Sequence, residues 1–528
     1  TGQGNQVEVG SGPNMQGRQF FVPDTVVQVL DRAVELHSER EALVTRSDRL
    51  SYLQLQARSD RTAHAFMDLG LKPGDRLASC LPNDTDVVAA FHGAMRMGAV
   101  WVGINRALAP PEKRYLLADS GASMLLCDQS TADSLGSIHG TRTVVIEGGP
   151  DAELWHSTLA GTPEGPCPYR VDPHAPAGIA YTSGTTGYPK GAVHSQHNLV
   201  LPGAALVASR GYGPSLRKGD CFALTILNMQ VLTTLLVAQA GGCSVVMDRI
   251  DAAGVSQWIE AEKVTTWNGP PALMHSLAHD PDIRPDSLSS LDEVWVGGDH
   301  CPEEVRDAFQ ARFGLPVLAT YGLTEAPTVV SIDPRDGAHV SGASGRPLPH
   351  LGLRILGDDG LDLGIGKVGE ISLAPTDSGP WAGTYRPMLG YWGLPPVSDQ
   401  GPDNGIRRTG DIGYIDGAGF VHVQGRKNIV IVRGGANVYP AEVERILLEV
   451  PGVAACAVVG LADQRLGQRV GAAVELAPGS TITVEEITAH CRVNLAKYKV
   501  PDRWVFVESL PRNSMGKIQR RSLDPLFD

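Results

Sequence analysis

The chain has 528 residues, which is longer than most domains that are built around one hydrophobic core, so two or three domains are expected. Hydrophobic residues make up 42% of the sequence and charged residues 20%, as in ordinary globular enzymes. With 45 basic and 58 acidic residues the formal net charge is −13, and no long Lys/Arg run is present, so neither nucleic acid nor an anionic membrane surface is an expected partner.

None of the eight cysteines belongs to a Cys-x-x-Cys pair, which argues against a zinc ribbon or a redox motif and favours free thiols in a reducing compartment. The N-terminus has no secretory signal pattern, and the most apolar stretch, residues 232–247, is too short and too polar to span a bilayer. We therefore expect a cytoplasmic protein without an integral membrane segment.

The first 18 residues are rich in Gly, Gln and Asn and show no periodic apolar pattern, so a flexible tail is expected over residues 1–18. From Val26 the apolar spacing becomes helical, and Asp24-Thr25 supplies a helix cap.

Helices and short strands then alternate along the first half of the chain. Helices are predicted over residues 52–70 and 84–97. Short apolar runs that are typical of buried parallel strands lie at residues 77–80, 124–127 and 144–146. Because this alternation continues to residue 317, we expect an α/β region with a largely parallel sheet and crossover helices.

Past residue 350 short strands are separated by Gly and Asp turns, which predicts a β-rich subdomain. A second α+β unit follows, in which Pro440 begins a helix and the pair Thr483 and Glu486 forms a capping box. The expected fold class is thus α/β, with a large N-terminal region of several subdomains over residues 19–426 and a small C-terminal α+β domain over residues 427–528.

A short segment after an apolar strand carries the strongest chemical signal: Tyr181-Thr-Ser-Gly-Thr-Thr-Gly-Tyr-Pro-Lys-Gly191. Its glycines let backbone N–H groups turn toward an anion, its hydroxyls add donors, and its lysine adds a positive charge. The spacing is not that of a Walker loop. The segment predicts a phosphate-binding loop rather than a surface turn, and its expected phosphate ligands are Thr182, Ser183, Gly184, Thr185, Thr186, Gly187 and Lys190.

This segment resembles the signature of the adenylate-forming superfamily, which includes acyl-CoA synthetases, peptide-synthetase adenylation domains and firefly-type luciferases. Further segments resemble the family's other motifs, in the family's order, at residues 319–325, 344–347, 408–411, 425–427, 434–442 and 511–517. Together they cover roughly residues 20 to 525. By this ordered set the chain is identified as a member of the superfamily.

The resemblance implies how ATP is bound. The loop would hold the β- and γ-phosphates, Thr324 would reach the α-phosphate, and Glu325 would bind Mg²⁺, a hard cation suited to carboxylate and phosphate oxygens. Asp411 would accept hydrogen bonds from the ribose hydroxyls. The remaining nucleotide contacts implied are Tyr321, which would stack on adenine, Gly322 beside it, Gly298 and Asp299 near the adenine and acyl pocket, and Arg426 beside the ribose.

The resemblance also assigns the C-terminal domain a mobile role. Lys517, which alone would be interpreted as a solvated surface lysine, is implied to be the catalytic lysine that bridges the carboxylate and the α-phosphate. Rotation at the hinge residue Asn428 would withdraw it and bring a different face to the incoming thiol. That face is expected to contain Gly434, Gly435 and Tyr439.

The acid is expected to bind in a pocket lined by His194, Asn228, Met229, Gly269, Met274 and Gly297. The chain departs from the family pattern in three places. Residues 224–230 lack the histidine usual before the pocket helix, Asn428-Ile429 lacks the usual acidic residue, and Ile406-Arg407 replaces an aromatic pair. These departures concern the identity of the acid and the rate of thioester formation rather than adenylation.

We therefore expect an acid:CoA ligase that uses ATP, Mg²⁺ and coenzyme A and releases AMP and pyrophosphate, with a homodimer as an assembly common among relatives. The alternative is an acyl-AMP ligase that loads the thiol of a carrier protein. A degenerate nucleotide-binding protein would have lost one of four residues that are all present: Lys190, Glu325, Asp411 and Lys517.

Overall fold

The computed structural model of the protein describes residues 6–8, 19–148, 152–163, 165–182, 189–297, 301–394, 405–429, 431–433, 436–463, 466–495, 497–513 and 517–527. The elements of the first third are β1 (Gln6–Glu8), β2 (Gln19–Phe21), α1 (Val26–His37), β3 (Glu41–Val44), β4 (Arg49–Ser51), α2 (Tyr52–Asp68), β5 (Arg76–Cys80), α3 (Thr85–Met97), β6 (Val100–Gly103), α4 (Pro110–Ser120), β7 (Met124–Asp128), α5 (Gln129–Leu135), β8 (Arg142–Glu147), α6 (Ala152–Gly161) and β9 (Pro176–Thr182).

The middle of the chain continues the same alternation and adds a π-helical turn. Its elements are β10 (Lys190–Ser195), α7 (Gln196–Arg210), β11 (Arg217–Asp220), α8 (Leu227–Met229), the π-helical turn (Gln230–Leu235), α9 (Leu236–Ala240), β12 (Cys243–Val246), α10 (Ala252–Glu262), β13 (Thr266–Gly269), α11 (Pro271–His279), a 3₁₀ turn (Pro285–Leu288), β14 (Glu293–Val296), α12 (Glu303–Phe313), β15 (Val317–Leu323), β16 (Thr328–Ile332) and β17 (Arg346–Pro347).

The last third is richer in strands. Its elements are β18 (Gly352–Leu356), β19 (Gly369–Ala374), β20 (Gly390–Tyr391), β21 (Arg407–Ile415), β22 (Val421–Arg426), a 3₁₀ turn (Lys427–Ile429), β23 (Ile431–Arg433), β24 (Ala436–Val438), α13 (Pro440–Leu448), β25 (Val453–Asp463), β26 (Gly467–Leu476), α14 (Val484–Asn494), β27 (Arg503–Val507) and two 3₁₀ turns (Arg520–Ser522 and Asp524–Phe527).

Two large sheets carry the N-terminal region. One has seven strands in the order β20-β10-β9-β6-β5-β7-β8, and the other has nine in the order β17-β16-β15-β14-β13-β11-β12-β3-β4. Strands β5 to β9 pair in parallel, as do β15, β14, β13, β11, β12 and β3. The antiparallel strands are β10 and β20 in the first sheet and β16, β17 and β4 in the second. The α/β prediction is confirmed. The alternation of helices and strands was interpreted as one largely parallel sheet, and the structure contains two.

The segment from α8 to α9 packs between the two sheets. The indole N–H of Trp101 in β6 donates a hydrogen bond to the carbonyl of Thr225 at 2.9 Å. A Cβ on Gly103 would collide with that same carbonyl, so only glycine permits the close approach. In the π-helical turn the hydroxyl of Thr233 donates to Asp220 at the end of β11, at 2.7 Å. The turn is therefore fixed to the carboxyl end of the nine-stranded sheet.

The last third forms two smaller sheets. An antiparallel sheet has the order β18-β19-β21-β22, and this confirms the predicted β-rich subdomain. In the C-terminal part β24, β23, β26 and β25 are antiparallel neighbours, and β27 adds in parallel to β26. The helix predicted at Pro440 and the capping box of Thr483 with Glu486 are both present. No helix in the described ranges combines the length and apolar character needed to cross a membrane.

The N-terminal stretch differs from the sequence prediction. Residues Gln6–Glu8 form a strand that pairs antiparallel with Gln19–Phe21. The prediction of a flexible tail over residues 1–18 is therefore wrong at Gln6–Glu8. The polar composition did not indicate this strand, because the strand is formed by backbone hydrogen bonds to its partner and these require no local apolar pattern.

A charged cluster joins α12 to Asp333, which follows β16, and through it to the first residue of the 319–325 motif. The two ring nitrogens of His339 lie 2.9 Å from Asp333 and 3.3 Å from Glu303. Arg306 lies 3.5 Å from Asp333 and 3.8 Å from Glu303. Asp333 is fully buried and accepts the backbone N–H of Ala319 at 2.7 Å.

The protonated form of His339 is what binds these carboxylates. Burial alone would lower the pKa of His339, but the hydrogen bonds to Asp333 and Glu303 outweigh it and raise this pKa to about 9. The hydrogen bond from His339 in turn lowers the pKa of Glu303 to about 2. Because the histidine pKa is raised above its ordinary 6.5, its contribution to stability is complete below that pH and is lost as pH rises through about 9.

We expect His339→Gln to lower the temperature of half-unfolding strongly at pH 6 and much less at pH 10, where the wild-type imidazole has lost its charge. The loss at pH 6 should be on the order of 1–3 kcal/mol, since His339 is only partly exposed. Thermal unfolding of both chains across this pH range measures it, with the exposed His139→Gln as the matched control. An equal loss at pH 6 and pH 10 would show that the charge of His339 is not what stabilises the fold.

Candidate nucleotide and acid site

A buried carboxylate, Asp411, lies where the four-stranded sheet meets the end of β15. Its Oδ2 accepts the phenolic O–H of Tyr321 at 2.6 Å, and its Oδ1 lies 3.0 Å from Nε of Arg426. Arg426 stands directly opposite Asp411 in the β21–β22 register, and Tyr321 stands beside a bulge in the β15–β16 pairing. Strand pairing thus brings together three residues that are up to 105 positions apart.

Local structure fixes the orientation of this carboxylate. Gly410 has φ of +75°, which favours glycine, and its N–H donates to Glu370 at 3.2 Å. The hydroxyl of Thr409 donates to the carbonyl of Ile371 at 2.7 Å and accepts the N–H of Asp411 at 3.0 Å. A carboxylate has about four lone-pair directions, so a group with one donor on each oxygen can accept two further donors such as hydroxyls.

Electrostatics at Asp411 combine burial with nearby positive charge. Burial raises the pKa of Asp411, and Arg426, the Tyr321 hydroxyl and the more distant charge of Lys517 partly offset this effect on the pKa. Burial and the neighbouring carboxylate raise the pKa of Tyr321 well above its ordinary value, so its phenol stays a donor. The structure therefore brings the C-terminal lysine within electrostatic reach of the carboxylate predicted to bind ribose.

A second cluster is centred on Tyr391 in β20. Its hydroxyl donates to Oε1 of Glu325 at 2.8 Å and accepts from Nη2 of Arg407 at 3.2 Å. Nζ of Lys190 lies 5.8 Å from the centre of the same ring, and Cζ of Arg407 lies 5.4 Å from it. Burial and Glu325 raise the pKa of Tyr391 to about 12, so this phenol remains protonated. One ring thus connects the predicted metal ligand with two cations.

His194 joins the predicted acyl pocket to Thr324. Its Nε2 lies 2.8 Å from the carbonyl of Thr324. Because a carbonyl only accepts, Nε2 carries the proton and Nδ1 is an acceptor. His194 is fully buried, and burial lowers its pKa to about 4, so the ring is neutral at physiological pH. Its Nδ1 is buried without a hydrogen-bond partner among the described residues.

The other predicted pocket residues fall into three groups. Gly269 and Gly297 have no room for a side chain, because a Cβ would collide with the ring of Trp267 and with Oγ1 of Thr320 respectively. Met274 is fully buried in the core of the nine-stranded sheet. Asn228 and Met229 are partly buried at α8, and the Oδ1 of Asn228 has no partner in the described part of the chain.

Both ends of the predicted phosphate loop lie at one point of the seven-stranded sheet. Thr182 and Lys190 are register partners in the β9–β10 pair, and Oγ1 of Thr182 lies 3.4 Å from the carbonyl of Lys190. Gly322, beside the Tyr321 bulge, has no room for a Cβ against the carbonyl of Thr328. The predicted contacts outside the described residues are Ser183, Gly184, Thr185, Thr186, Gly187, Gly298, Asp299, Gly434 and Gly435.

The C-terminal residues of the prediction are exposed or lie at the domain junction. Lys517 is exposed, and its backbone exchanges hydrogen bonds with Asn513, at 2.9 Å and 2.8 Å. Asn428 lies in the 3₁₀ turn that follows β22, and Tyr439 directly precedes α13. Lys427, in the same turn, lies 3.0 Å from Asp358 and 3.4 Å from Glu370 in the N-terminal region.

Sequence reasoning gave no site role to Tyr391 or to Arg407. Tyr391 belongs to a two-residue strand that pairs, within the described part of the chain, with β10, where its register partner Ala192 lies 199 positions earlier. Such a contact is visible only after the sheet is formed. Arg407 did leave a signal, as one of the departures from the family pattern in the sequence, but the sequence does not say what it faces.

Family models match most of the chain. The model of the AMP-binding enzymes covers residues 30–382, and that of the AMP-binding enzyme C-terminal domain covers residues 442–517. A structure of ATP-bound MatB from Rhodopseudomonas palustris is similar, with a TM-score of 0.84 at 28% identity over 94% of this chain and 98% of that chain.

Three characterised relatives are similar over nearly their whole length. The long-chain-fatty-acid–CoA ligase FadD13 of Mycobacterium tuberculosis is 32% identical over 90% of this chain and 92% of its own. A feruloyl-CoA synthase of an Amycolatopsis species is 34% identical over 89% and 92%. The fatty acid–[acyl-carrier-protein] ligase ScoC of Streptomyces coeruleorubidus is 31% identical over 95% and 97%. The chain belongs to the AMP-binding enzyme family, as its motifs predicted, and is an enzyme that activates acids through an adenylate.

Proposed function

We propose that the protein is an acid:CoA ligase that converts a carboxylic acid, ATP and coenzyme A into an acyl-CoA, AMP and pyrophosphate. The observation that carries the proposal is the buried carboxylate of Asp411, which has one donor on each of its oxygens. Burial raises the pKa of Asp411, and the charge of Lys517 is among those that act against this rise. Two further contacts support the proposal: Glu325 and Lys190 both lie at the ring of Tyr391, and the carbonyl of Thr324 contacts His194. The names of the relatives support a thiol as the final acceptor.

In the first step the acid carboxylate attacks the α-phosphorus, and the bond from that phosphorus to the pyrophosphate oxygen breaks. Negative charge then has to be neutralised on the acid side and on the leaving side. Lys517 is proposed to bridge the carboxylate and the α-phosphate, while Lys190 holds the departing phosphates. Asp411 and Tyr321 are proposed to hold the ribose and adenine, so that the α-phosphorus is fixed in line with the acid.

The residues present suit Mg²⁺ at Glu325. One oxygen of this carboxylate is oriented by Tyr391, and oxygen ligands of this type are what a hard cation prefers. Mg²⁺ would neutralise phosphate charge there when bound with ATP. The hydrogen bond from Tyr391 orients this oxygen of Glu325 without requiring bound Mg²⁺.

In the second step a thiol attacks the acyl carbonyl of the adenylate, and AMP leaves. Coenzyme A is proposed as the thiol donor, with residues 434–439 as its approach. The carrier-protein alternative has specific support, because one relative is named as an acyl-carrier-protein ligase. Only a direct comparison of thiol acceptors separates the two.

We expect acid-dependent release of pyrophosphate from ATP and Mg²⁺, accelerated by coenzyme A with formation of an acyl-CoA. The panel should pair straight-chain and aromatic acids with their hydroxylated forms, because the buried acceptors of His194 and Asn228 would gain from a donor on the acid. Release that responds to a carrier protein but not to coenzyme A would establish the alternative. Coenzyme A consumption without AMP formation would contradict adenylation.

We expect Lys517→Ala to slow adenylate formation by about 100- to 1,000-fold, because a positive charge at the transition state is lost. Transfer from pre-made acyl-AMP to coenzyme A should change by less than about three-fold, since Lys517 is proposed to be withdrawn for that step. The two half-reactions are measured separately, with the exposed Lys497→Ala as the control. Equal losses in both half-reactions would contradict the proposed exchange of domain positions.

A further inference from the structure

Arg407 is a cation in the candidate site that the expected set of ATP ligands does not include. It begins β21, four residues before Asp411. Its Nη2 donates to the hydroxyl of Tyr391 at 3.2 Å, and that same hydroxyl donates to Glu325. The guanidinium is therefore one phenol oxygen away from the proposed Mg²⁺ ligand.

The charge of Arg407 reaches the centre of the site. It contributes to lowering the pKa of His194, after burial, and it acts against the burial that raises the pKa of Tyr385. Both Arg407 and Lys190 lie within 6 Å of the centre of the Tyr391 ring, at 5.4 Å and 5.8 Å. Two cations thus share one aromatic neighbour at the edge where Glu325 stands.

Arg407 differs from the other arginines of its sheet. Arg408 lies 2.9 Å from Glu370, and Arg426 lies 3.0 Å from Asp411. The buried Nε of Arg407 has no hydrogen-bond partner in the described ranges, and no carboxylate of those ranges forms an ion pair with it. A guanidinium does not lose its charge in a protein, and buried donors are nearly always satisfied. An anionic group would match both the charge of Arg407 and this buried N–H donor.

We propose that Arg407 binds the phosphate chain of ATP together with Lys190 and keeps hold of pyrophosphate as it leaves. The inference rests on the proposed function and adds one phosphate-binding residue to the proposed ATP site. A planar guanidinium presents paired N–H donors that match two phosphate oxygens, which a lysine does not. As the bond between the α-phosphorus and the bridging oxygen breaks, the electron pair stays on pyrophosphate, and Arg407 offsets the added charge.

The test compares equilibrium binding of AMP with that of α,β-methylene-ATP by calorimetry, in the full chain with Mg²⁺. Arg407→Gln should weaken the ATP analogue by about 10- to 100-fold, the effect of losing a charged hydrogen bond, and leave AMP within about two-fold. Arg407→Lys, which keeps the charge, should recover part of the loss. Arg354→Gln makes the same change at an exposed ion pair of the same sheet and should alter neither ligand.

Equal weakening of AMP and the analogue, or none of either, would overturn the inference. A raised KM for the acid with unchanged nucleotide binding would also overturn it, since Arg407 would then bind the acid. If the wild-type chain catalysed no acid-dependent exchange of pyrophosphate into ATP, only the proposed function would be contradicted. The binding comparison would still test Arg407, because it requires no catalytic turnover. A wild-type chain that binds neither nucleotide would overturn both.

Discussion

The site depends on one buried carboxylate that is held from two directions. Asp411 accepts a hydrogen bond from the phenol of Tyr321, in the nine-stranded sheet. It also pairs with the guanidinium of Arg426, in the neighbouring strand of the four-stranded sheet. Loss of one partner from such a group typically costs about 3–5 kcal/mol, because a buried charge is left uncompensated. Arg426 is followed at once by Lys427, which contacts Asp358 and Glu370 at the domain junction. The predicted ribose contact Arg426 and the predicted hinge Asn428 therefore lie two residues apart, at the end of β22 and in the 3₁₀ turn that follows it.

The local charge of the site is opposite to that of the whole chain. The formal net charge of −13 would repel a polyanion such as ATP at long range. Near Tyr391 and Asp411, however, the fold places Lys190, Arg407 and Arg426, and the charge of Lys517 reaches the same carboxylate. Among the described residues, the carboxylates that contact Tyr321 and Tyr391 in these clusters are Asp411 and Glu325. Because charges act most strongly at short range in a buried site, we propose that this arrangement, rather than the net charge, governs the binding of ATP.

Much of the fold followed from local patterns. The parallel strands, the capping box of Thr483 and the helix at Pro440 depend on periodicity and capping that act within a few residues. The strand Gln6–Glu8 was missed because its stability comes from pairing with Gln19–Phe21. The family motifs located Asp411, Tyr321, Glu325 and Lys517 along the chain. The partners that hold them, Tyr391 and Arg407 above all, come from distant segments and appear only in three dimensions.

The most direct test of the nucleotide site asks whether Asp411 binds ribose hydroxyls. Binding of AMP and of 2′,3′-dideoxy-AMP is measured by calorimetry for the wild-type chain and for Asp411→Asn. We expect the wild type to prefer AMP by about 10- to 100-fold, because a carboxylate accepts both hydroxyls, and the variant to lose most of that preference. A wild-type chain that binds the two nucleotides equally would contradict the placement of ribose at Asp411 and the organisation of the site around it.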